Sequence, residues 1–400
     1  MSMRKIIHVD LDAFFCAVEE YENSELRGKC FAVGGRPDQR GVVASCSYAA
    51  RRFGVRSAMS MQKALRLCPG LIVVSGRHRK YSRYSHHVMS ILRQSGDRIG
   101  QISIDEAFLD LSSMKEPVEI LGRRIQKRVN IEAHLPCSLG IASNKLVAKI
   151  ANDFGKTKFR GEGFPNAMTI VPAGKEAEFL APLPVRNMWG VGPKTAEKLD
   201  RMGISTIGEL AGALPEEMFQ SFGIYGNEMI KHAQGIDHRE VGNERAKARS
   251  ISSENTFAED VESVMIIKDR IWKIAHNLAA QIKSSNLRAA TVKIKIRWSD
   301  FSTITRQKTI TLSDDGDLIA KIACDLFETE WKNPRPVRLI GVGLSGLFEK
   351  SQQLNLWDEE VKRNQKLFNT VSLLEEKFGK LVVSTASEFK FSDRQDEVEE

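Results

Sequence analysis

Two apolar runs in this chain carry carboxylates where a buried strand should end, and that feature restricts the fold most tightly. KIIHVDL, residues 5–11, reads as a buried strand with Asp10 near its end. DRIGQISIDEAFLDLSS, residues 97–113, reads as two strands around a bend, with Asp105 and Glu106 inside the apolar pattern. An acid pair in such surroundings is costly unless something neutralises it. One reading is a turn whose acids face water. The sharper one is a site for a hard divalent cation such as Mg²⁺, which takes carboxylate oxygens, few protein ligands and a phosphate-bearing substrate. Neighbouring side chains on a regular strand point to opposite faces. Asp105 and Glu106 therefore converge only if the backbone bends there or one carboxylate reaches around. Strand ends bearing Asp10 and Asp105, laid side by side, would form a carboxylate cluster able to hold two ions about 3.5–4 Å apart for an in-line displacement. The spacing leaves open whether the two strands are neighbours.

Around these runs, strand and helix signals alternate to about residue 171, which predicts an α/β or α+β arrangement. A helix is expected from Ala13 to Tyr21 with Asp12 as its N-cap. GVVASCS and CSLGIAS read as strands. SMQKALRLCPG, the stretch from about Tyr81 to Gln94, VEILGRRIQKRVNIEA and NKLVAKIAND read as helices. Beyond residue 171, MWGVGPKTAEKLDRMGI and SFGIYGNEMIKHAQG are helical segments broken by glycine turns, and QGIDHREVGNERA reads as a linker. Strand and helix signals return from Lys247 to Leu347. The last fifty residues read as a flexible connection, one helix over about Glu359–Phe378 and a fraying acidic end.

Composition bears on partners. The net charge is +8 over 400 residues, but residues 351–400 carry −4 and the remaining body +12. A basic body suggests a polyanionic partner such as nucleic acid. No stretch approaches the roughly 20 apolar residues of a membrane helix. MSMRKIIHVD lacks a signal-peptide pattern, so a cytoplasmic protein is expected. Cys16, Cys30, Cys46, Cys68, Cys137 and Cys324 form no CxxC pair, and buried reduced thiols are expected.

Four ordered motifs, VDLDAFFCAVE, ASCSYAARRFGVRSAM, SIDEAFLDLS and GIASNKLVAKIAND, resemble the Y-family of DNA polymerases, most closely its bacterial polymerase IV (DinB) branch. The resemblance covers roughly residues 4–350, with a further match in the tail. It implies an α+β multidomain right-hand polymerase. The palm, ferredoxin-like, would hold residues 1–11 and 78–167 and small fingers residues 12–77. A helix-hairpin-helix thumb would span 168–233, a linker 234–246, an α+β little finger 247–350, and a flexible tail 351–400. Asp10, Asp105 and Glu106 would be the catalytic acids. The first two would hold two Mg²⁺ ions, for which Mn²⁺ can substitute, with the backbone carbonyl of Leu11 assisting and Glu106 completing the cluster beside the primer 3′-hydroxyl. The reaction implied is attack of that hydroxyl on the α-phosphate of a dNTP, with pyrophosphate released.

The same resemblance places Tyr48 and Arg51 at the triphosphate, where a guanidinium offers paired donors. Lys156 matches another phosphate-contacting position, although Thr157 stands where proline is frequent and the following loop, KFRGEGFPN, is longer. Ser45 is a further candidate donor to a phosphate. Phe15 matches the steric gate, whose ring lies where a ribose 2′-hydroxyl would project. Phe14 would pack behind it or beside the base, and reads better as a core residue opening a helix.

DNA contacts are expected later in the chain. In WGVGPKTAEKL, Gly190 and Gly192 permit a turn whose backbone N–H groups can meet a phosphate, and Lys194 adds charge. TVKIKIRW alternates strictly, with Val292, Ile294, Ile296 and Trp298 on one face and Lys293, Lys295 and Arg297 on the other at intervals of about 6.8 Å. Arg306 and Lys308, and Lys247 and Arg249, repeat the spacing on neighbouring strand candidates, which together predict a basic sheet or, more plainly, a solvated basic edge. In the tail, QQLNLWD looks like a bacterial sliding-clamp peptide, with Gln353, Leu354, Leu356 and Trp357 entering a clamp pocket. The expectation is a monomeric, low-fidelity, translesion DNA polymerase that binds primer-template DNA, dNTP and the clamp, and no membrane. A non-catalytic clamp-recruited DNA-binding protein of the same fold is the first alternative, and a metal nuclease the second. The Tyr48, Arg51 and Phe15 set argues against the nuclease.

Overall fold

The computed structural model of the chain describes residues 4–160, 163–242, 248–331 and 335–349. β1 (Ile6–Leu11) is buried over its whole length. α1 (Phe14–Glu22) follows, then β2 (Phe31–Gly34), β3 (Val43–Cys46), α2 (Tyr48–Arg52), α3 (Met61–Leu67) and β4 (Ile72–Ser75). These three strands form a small sheet in the order β3-β2-β4. The long helix α4 (His78–Arg93) begins three residues before its expected start at about Tyr81. β5 (Arg98–Gln101), β6 (Glu106–Asp110), α5 (Val118–Glu132), β7 (Cys137–Ala142), α6 (Lys145–Lys158) and β8 (Met168–Ile170) complete a second sheet in the order β5-β6-β1-β7-β8.

β1 sits in the middle of that sheet because both of its faces are apolar along most of its length. Ile7, Val9 and Leu11 join Leu109 and the residues of α4 and α5, among them Val88, Leu92, Ile125 and Val129, in one core. Ile6 and Phe108 face the other way and join Leu146, Val147 and Ile150 of α6. His8 and Asp10 share that second face by the period of the strand. Gly140, opposite His8 in the register, lets α6 come against the sheet. A Cβ there would lie 1.9 Å from the carbonyl oxygen of Ala148.

Helices α7 (Glu176–Leu180), α8 (Pro193–Arg201), α9 (Ile207–Ala211), α10 (Pro215–Phe222) and α11 (Ile224–Ala233) extend the second core through Leu180, Leu199, Leu210 and Met229. The stretch expected to be a linker departs from that expectation as far as it is described, to residue 242. Asp237 and Val241 are buried. Asn144 Nδ2 donates to the carbonyl of Gly235, and the N–H of Leu146 donates to Asp237. Arg239 lies over the Trp189 ring at 4.7 Å. Polar residues that look unanchored in sequence are here bound to the start of α6.

β9 (Ser250–Val261), α12 (Val264–Ser284), β10 (Leu287–Trp298), β11 (Thr303–Ser313), α13 (Gly316–Glu330) and β12 (Val337–Glu349) form an antiparallel sheet in the order β11-β10-β12-β9 with both helices on one face. The alternation read in TVKIKIRW is present. Val292, Ile294, Ile296 and Trp298 are buried under the helices, and Lys293, Lys295 and Arg297 project from the opposite face. Arg40, between β2 and β3, pairs with Asp260 of β9 at 2.7 Å and so links the small sheet to this one. Among the described residues, no helix is long and apolar enough to cross a membrane, and the six cysteines are free thiols.

Candidate active site

Antiparallel pairing sets Asp10 directly opposite Glu106. Partners in register share a sheet face, so both carboxylates lie on the face covered by α6. Asp105 comes from the bend before β6. Ser103 makes that bend: its hydroxyl accepts from the N–H groups of Asp105 and Glu106 and donates to Asp105 Oδ1 at 2.5 Å. The N–H of Leu11 donates to the carbonyl of Asp105 at 3.0 Å, which fixes the bend against the end of β1. The strands bearing the acids are neighbours, and the backbone bends between Asp105 and Glu106, the two conditions the sequence left open.

Two lysines of α6 meet these acids. Lys156 Nζ lies 2.5 Å from Asp10 and 3.4 Å from Asp12. Lys149 Nζ lies 2.9 Å from Glu106 Oε2. α6 runs to Lys158, so Lys156 stands on a helix rather than in the loop that follows. Burial raises the Asp10 carboxyl to about 7 against the opposing pull of Lys156. Burial alone would raise Glu106 as well, but His8 and Lys149 beside it outweigh that and hold its carboxyl well below the usual range. Burial lowers the Lys156 ammonium, and the Asp10 and Asp12 carboxylates overcome it and leave the group well above its ordinary value. Two carboxylates on one sheet face are thus pushed apart by their surroundings, the condition for distinct roles.

Asp12 does not cap α1. The N-cap is Ala13, whose left-handed φ of 45° turns the chain and gives no side-chain cap. Asp12 is carried inward, where Ser138 Oγ donates to it at 2.8 Å and the N–H of Asn166 at 3.0 Å. It is a buried counter-charge to Lys156. The sequence holds no signal for this, because Ser138 is 126 residues away.

One open cleft of about 310 Å³ is lined by Asp10, Leu11, Asp105, Phe14, Phe15, Ser45, Tyr48, Arg51 and Lys156, and also by Asp153 and Ser57, to which no motif points. Asp153 follows Asn152 on α6 and was legible as an acid on that helix. Ser47 caps α2 by accepting from the N–H of Ala50, which sets Tyr48 and Arg51 on the cleft side. The Arg51 guanidinium lies 4.6 Å from the Tyr48 ring centroid and donates to the carbonyl of Cys46. Burial and the Asp12 carboxylate push the Tyr48 phenol up to about 12, so it stays protonated. Ser45 is buried on β3. Phe14 is 3% exposed and packs in the core behind the cleft wall, whereas Phe15 is half-buried and stacks on Tyr81 at 4.3 Å between centroids.

The donor set at the strand ends is all oxygen, and two ammonium groups already neutralise it. The oxygen donors suit hard divalent cations. In this arrangement, no three His, Cys, Asp or Glu side chains among the described residues are gathered closely enough to hold an ion, and Asp10 and Glu106 are paired with Lys156 and Lys149.

The expected nucleic-acid residues divide. Gly190 has φ +96° and accepts from the Tyr225 hydroxyl through its carbonyl, so the turn requires its positive φ. Gly192 has an ordinary φ of −82° and opens α8 as its N-cap, followed by exposed Lys194. On β10, Lys295 pairs with Glu254 of β9 at 2.9 Å and Arg297 donates to Thr303 Oγ1. Arg306 and Lys308 do not share the face of these cations. The register pairs Arg306 with Ile294 and Lys308 with Val292, which puts both on the helix-covered side, and Arg306 pairs with Glu330 of α13 at 2.8 Å. Their spacing follows the strand period, but β11 meets β10 in the opposite phase, a property of the pairing that the sequence does not carry. Arg249 is exposed before β9. Lys247, Gln353, Leu354, Leu356 and Trp357 lie outside the described residues.

Comparison with known proteins agrees along the chain. Residues 9–153 match the model of the impB/mucB/samB family, residues 174–204 its helix-hairpin-helix motif, and residues 248–356 its C-terminal domain. A DNA polymerase IV of Dehalococcoides mccartyi is 36% identical over 404 residues, covering 98% of this chain and all of the relative. One from Lactococcus lactis subsp. cremoris is 37% identical over 361 residues, covering 88% and 97%. Among solved structures, a Y-family DNA polymerase chimera of Dbh and Dpo4 superposes with a TM-score of 0.77 at 26% identity, covering 86% of this chain and 99% of that one. An insertion ternary complex of Dbh DNA polymerase gives a TM-score of 0.59 at 26% identity, with the same coverage.

Proposed function

Because the chain belongs to the Y-family of DNA polymerases, in its DNA polymerase IV branch, and is a DNA-directed translesion polymerase, we propose that Asp10, Asp105 and Glu106 are its catalytic acids. They would serve the transfer of a deoxynucleotide from dNTP to a primer 3′-hydroxyl on template DNA. The observation that carries the proposal is the pairing of Asp10 with Glu106, with Asp105 bent against Leu11, at the edge of the cleft that also holds Phe15, Tyr48, Arg51 and Lys156.

Two divalent ions, Mg²⁺ with Mn²⁺ able to substitute, would be held by Asp10, Asp105 and Glu106 with the Leu11 carbonyl. When bound they would supply charge stabilisation at the reacting phosphate and ease deprotonation of the hydroxyl. The chain's own groups do the rest. Arg51, Tyr48, Ser45 and Lys156 bind and orient the triphosphate. Phe15 closes the space at the sugar 2′ position, and Phe14 supports it from the core. Low fidelity is part of the same proposal, to be read as an error rate on undamaged template.

The five-stranded sheet with α4, α5 and α6 would be the palm, and the three-stranded sheet the fingers. The helices from α7 to α11 would be the thumb, gripping DNA at Gly190, Gly192 and Lys194. The four-stranded sheet would be the little finger, meeting phosphates through Lys293, Lys295 and Arg297. Gln353, Leu354, Leu356 and Trp357 would tether a monomeric, cytoplasmic enzyme to a sliding clamp. Deleting residues 352–357 should then leave basal synthesis intact and abolish stimulation by the clamp.

Primer extension with wild-type protein and Asp105→Asn tests the central reading. Lengthened primer with the first, none with the second and equal DNA binding by both are expected. Shortened primer would mean a nuclease, and substantial synthesis by Asp105→Asn would remove the acid from the mechanism.

A further inference from the structure

The centre of β1 holds a histidine that the proposed chemistry does not use. His8 is completely buried between β1 and α6. Its Nδ1 lies 3.0 Å from Nδ2 of Asn152, itself completely buried. Its Nε2 has no hydrogen-bond partner, and Oε2 of Glu106 lies 3.7 Å from it.

Geometry fixes which ring nitrogen carries the proton. The Asn152 amide faces three acceptors at once: His8 Nδ1, the carbonyl of His8 at 3.2 Å and the carbonyl of Ser138 at 2.9 Å. Only the NH₂ end can face two backbone carbonyls, since the flipped amide would oppose oxygen to oxygen. An amide donor then points at Nδ1, so Nδ1 accepts and the imidazole proton belongs on Nε2. The backbone makes the same choice from further away. Gly140 brings Asn152 this close, because a Cβ at residue 140 would lie 2.4 Å from the Asn152 N–H nitrogen.

We propose that His8 is a positioning residue for Glu106, held by Asn152 in the Nε2–H form so that its N–H braces Oε2 of the carboxylate. Lys149 Nζ binds the same oxygen from the other side at 2.9 Å. Two donors on Oε2 leave Oε1 for the reaction. A buried N–H without a partner is costly, and rotation of the Glu106 side chain toward it by less than an ångström completes the bond. The histidine acts from inside the sheet, where water cannot replace it. The inference rests on the proposed role of Glu106 as a catalytic acid.

¹⁵N-histidine NMR of the full-length protein, with the His8 signals identified by their loss in His8→Phe, reads the tautomer directly. A neutral ring protonated at Nε2 is expected; a ring protonated at Nδ1 overturns the proposal. Primer-extension kinetics read the brace. His8→Phe should lower kcat by roughly 10- to 100-fold, with KM for dNTP and Kd for primer-template within about twofold of wild type. His8→Gln, which returns an N–H donor near the place of Nε2, should recover most of the loss. An unchanged kcat in His8→Phe, or equal losses in His8→Phe and His8→Gln, overturns it. Glu106→Gln is the reference. If it extends primers at the wild-type rate, the assignment of Glu106 itself fails. If it is severely impaired while His8→Phe is not, only the brace fails.

Discussion

Lys156 Nζ stands 2.5 Å from Asp10 Oδ1 and 3.4 Å from Asp12 Oδ1, so one ammonium answers two desolvated carboxylates. A divalent cation arriving at Asp10 has to compete with that ammonium, and a triphosphate arriving beside it offers the lysine another anion. The same side chain can thus link the two binding events.

Lys156→Met should separate them. Mn²⁺ binding in the absence of nucleotide, measured by electron paramagnetic resonance, should tighten because its competitor is gone. KM for dNTP should rise roughly 10- to 100-fold, the range for a lost charge-assisted hydrogen bond. Unchanged Mn²⁺ affinity would show that lysine and metal do not share Asp10.

Asp10→Asn should stabilise the metal-free protein while abolishing synthesis. The folded Asp10 carboxyl is raised to about 7, above about 3.9 in the unfolded chain. Between those values the folded state binds more protons, so the stabilisation is full at low pH and is lost as pH rises from about 4 through about 7. Asparagine removes that loss, and Asp12 remains to pair with Lys156. Thermal melts in chelator should coincide near pH 4 and separate by pH 7.5, with the variant ahead by about 0.5–2 kcal/mol. A lower melting temperature for the variant at pH 7.5 would contradict this.

Phe15 is backed by an anchored ring. Tyr81 stacks on it with planes 17° apart, and the Tyr81 hydroxyl donates to Glu19 at 2.6 Å. Glu19, buried at 2% exposure, also pairs with Arg77. Phe15→Ala should reduce discrimination against ribonucleotides by roughly 10²-fold or more. Glu19→Gln should relax it less, by loosening the anchor. Single-nucleotide incorporation with dNTP and rNTP measures both, and unchanged sugar selection in Phe15→Ala would exclude it as the gate.

On the open face of the four-stranded sheet, Lys293→Ala and Arg297→Ala should each weaken DNA binding and lower the slope of log Kd against log salt by up to about 0.9 per lost phosphate contact. Glu254→Gln, which frees Lys295, should strengthen binding. Arg306→Ala, on the opposite face, should leave the slope unchanged. A salt titration of binding decides among these, and an effect of Arg306→Ala equal to that of Lys293→Ala would refute the assignment of faces.

Much of this arrangement was legible in the sequence. The alternation in TVKIKIRW assigned Val292, Ile294, Ile296 and Trp298 to one face and three cations to the other, and the structure has them there. The acids were legible because charge inside an apolar strand pattern needs a reason. The motif order also pointed to the family that the comparisons establish. The errors share one origin. Asp12 looked like a helix cap because the residue before a helix usually is one, yet the left-handed turn at Ala13 sends it to Ser138. Arg306 and Lys308 looked like part of the cationic face because their spacing was right and their phase was invisible.

By itself, then, the chain determined its strands and helices, which strand faces are apolar, and which acids needed a partner. These follow from local periodicity and from the cost of burying charge, and both are written in neighbouring residues. Only the tertiary structure decided who those partners are. Lys156 meets Asp10, Lys149 meets Glu106, and Asn152 sets the ring of His8 because Gly140 lets α6 lie against β7 and because β1 pairs with β6 in one register. The register of β1 against β6 and the hold of Asn152 on His8 join residues far apart in the chain, so the electrostatics of the site were fixed only when the sheet closed.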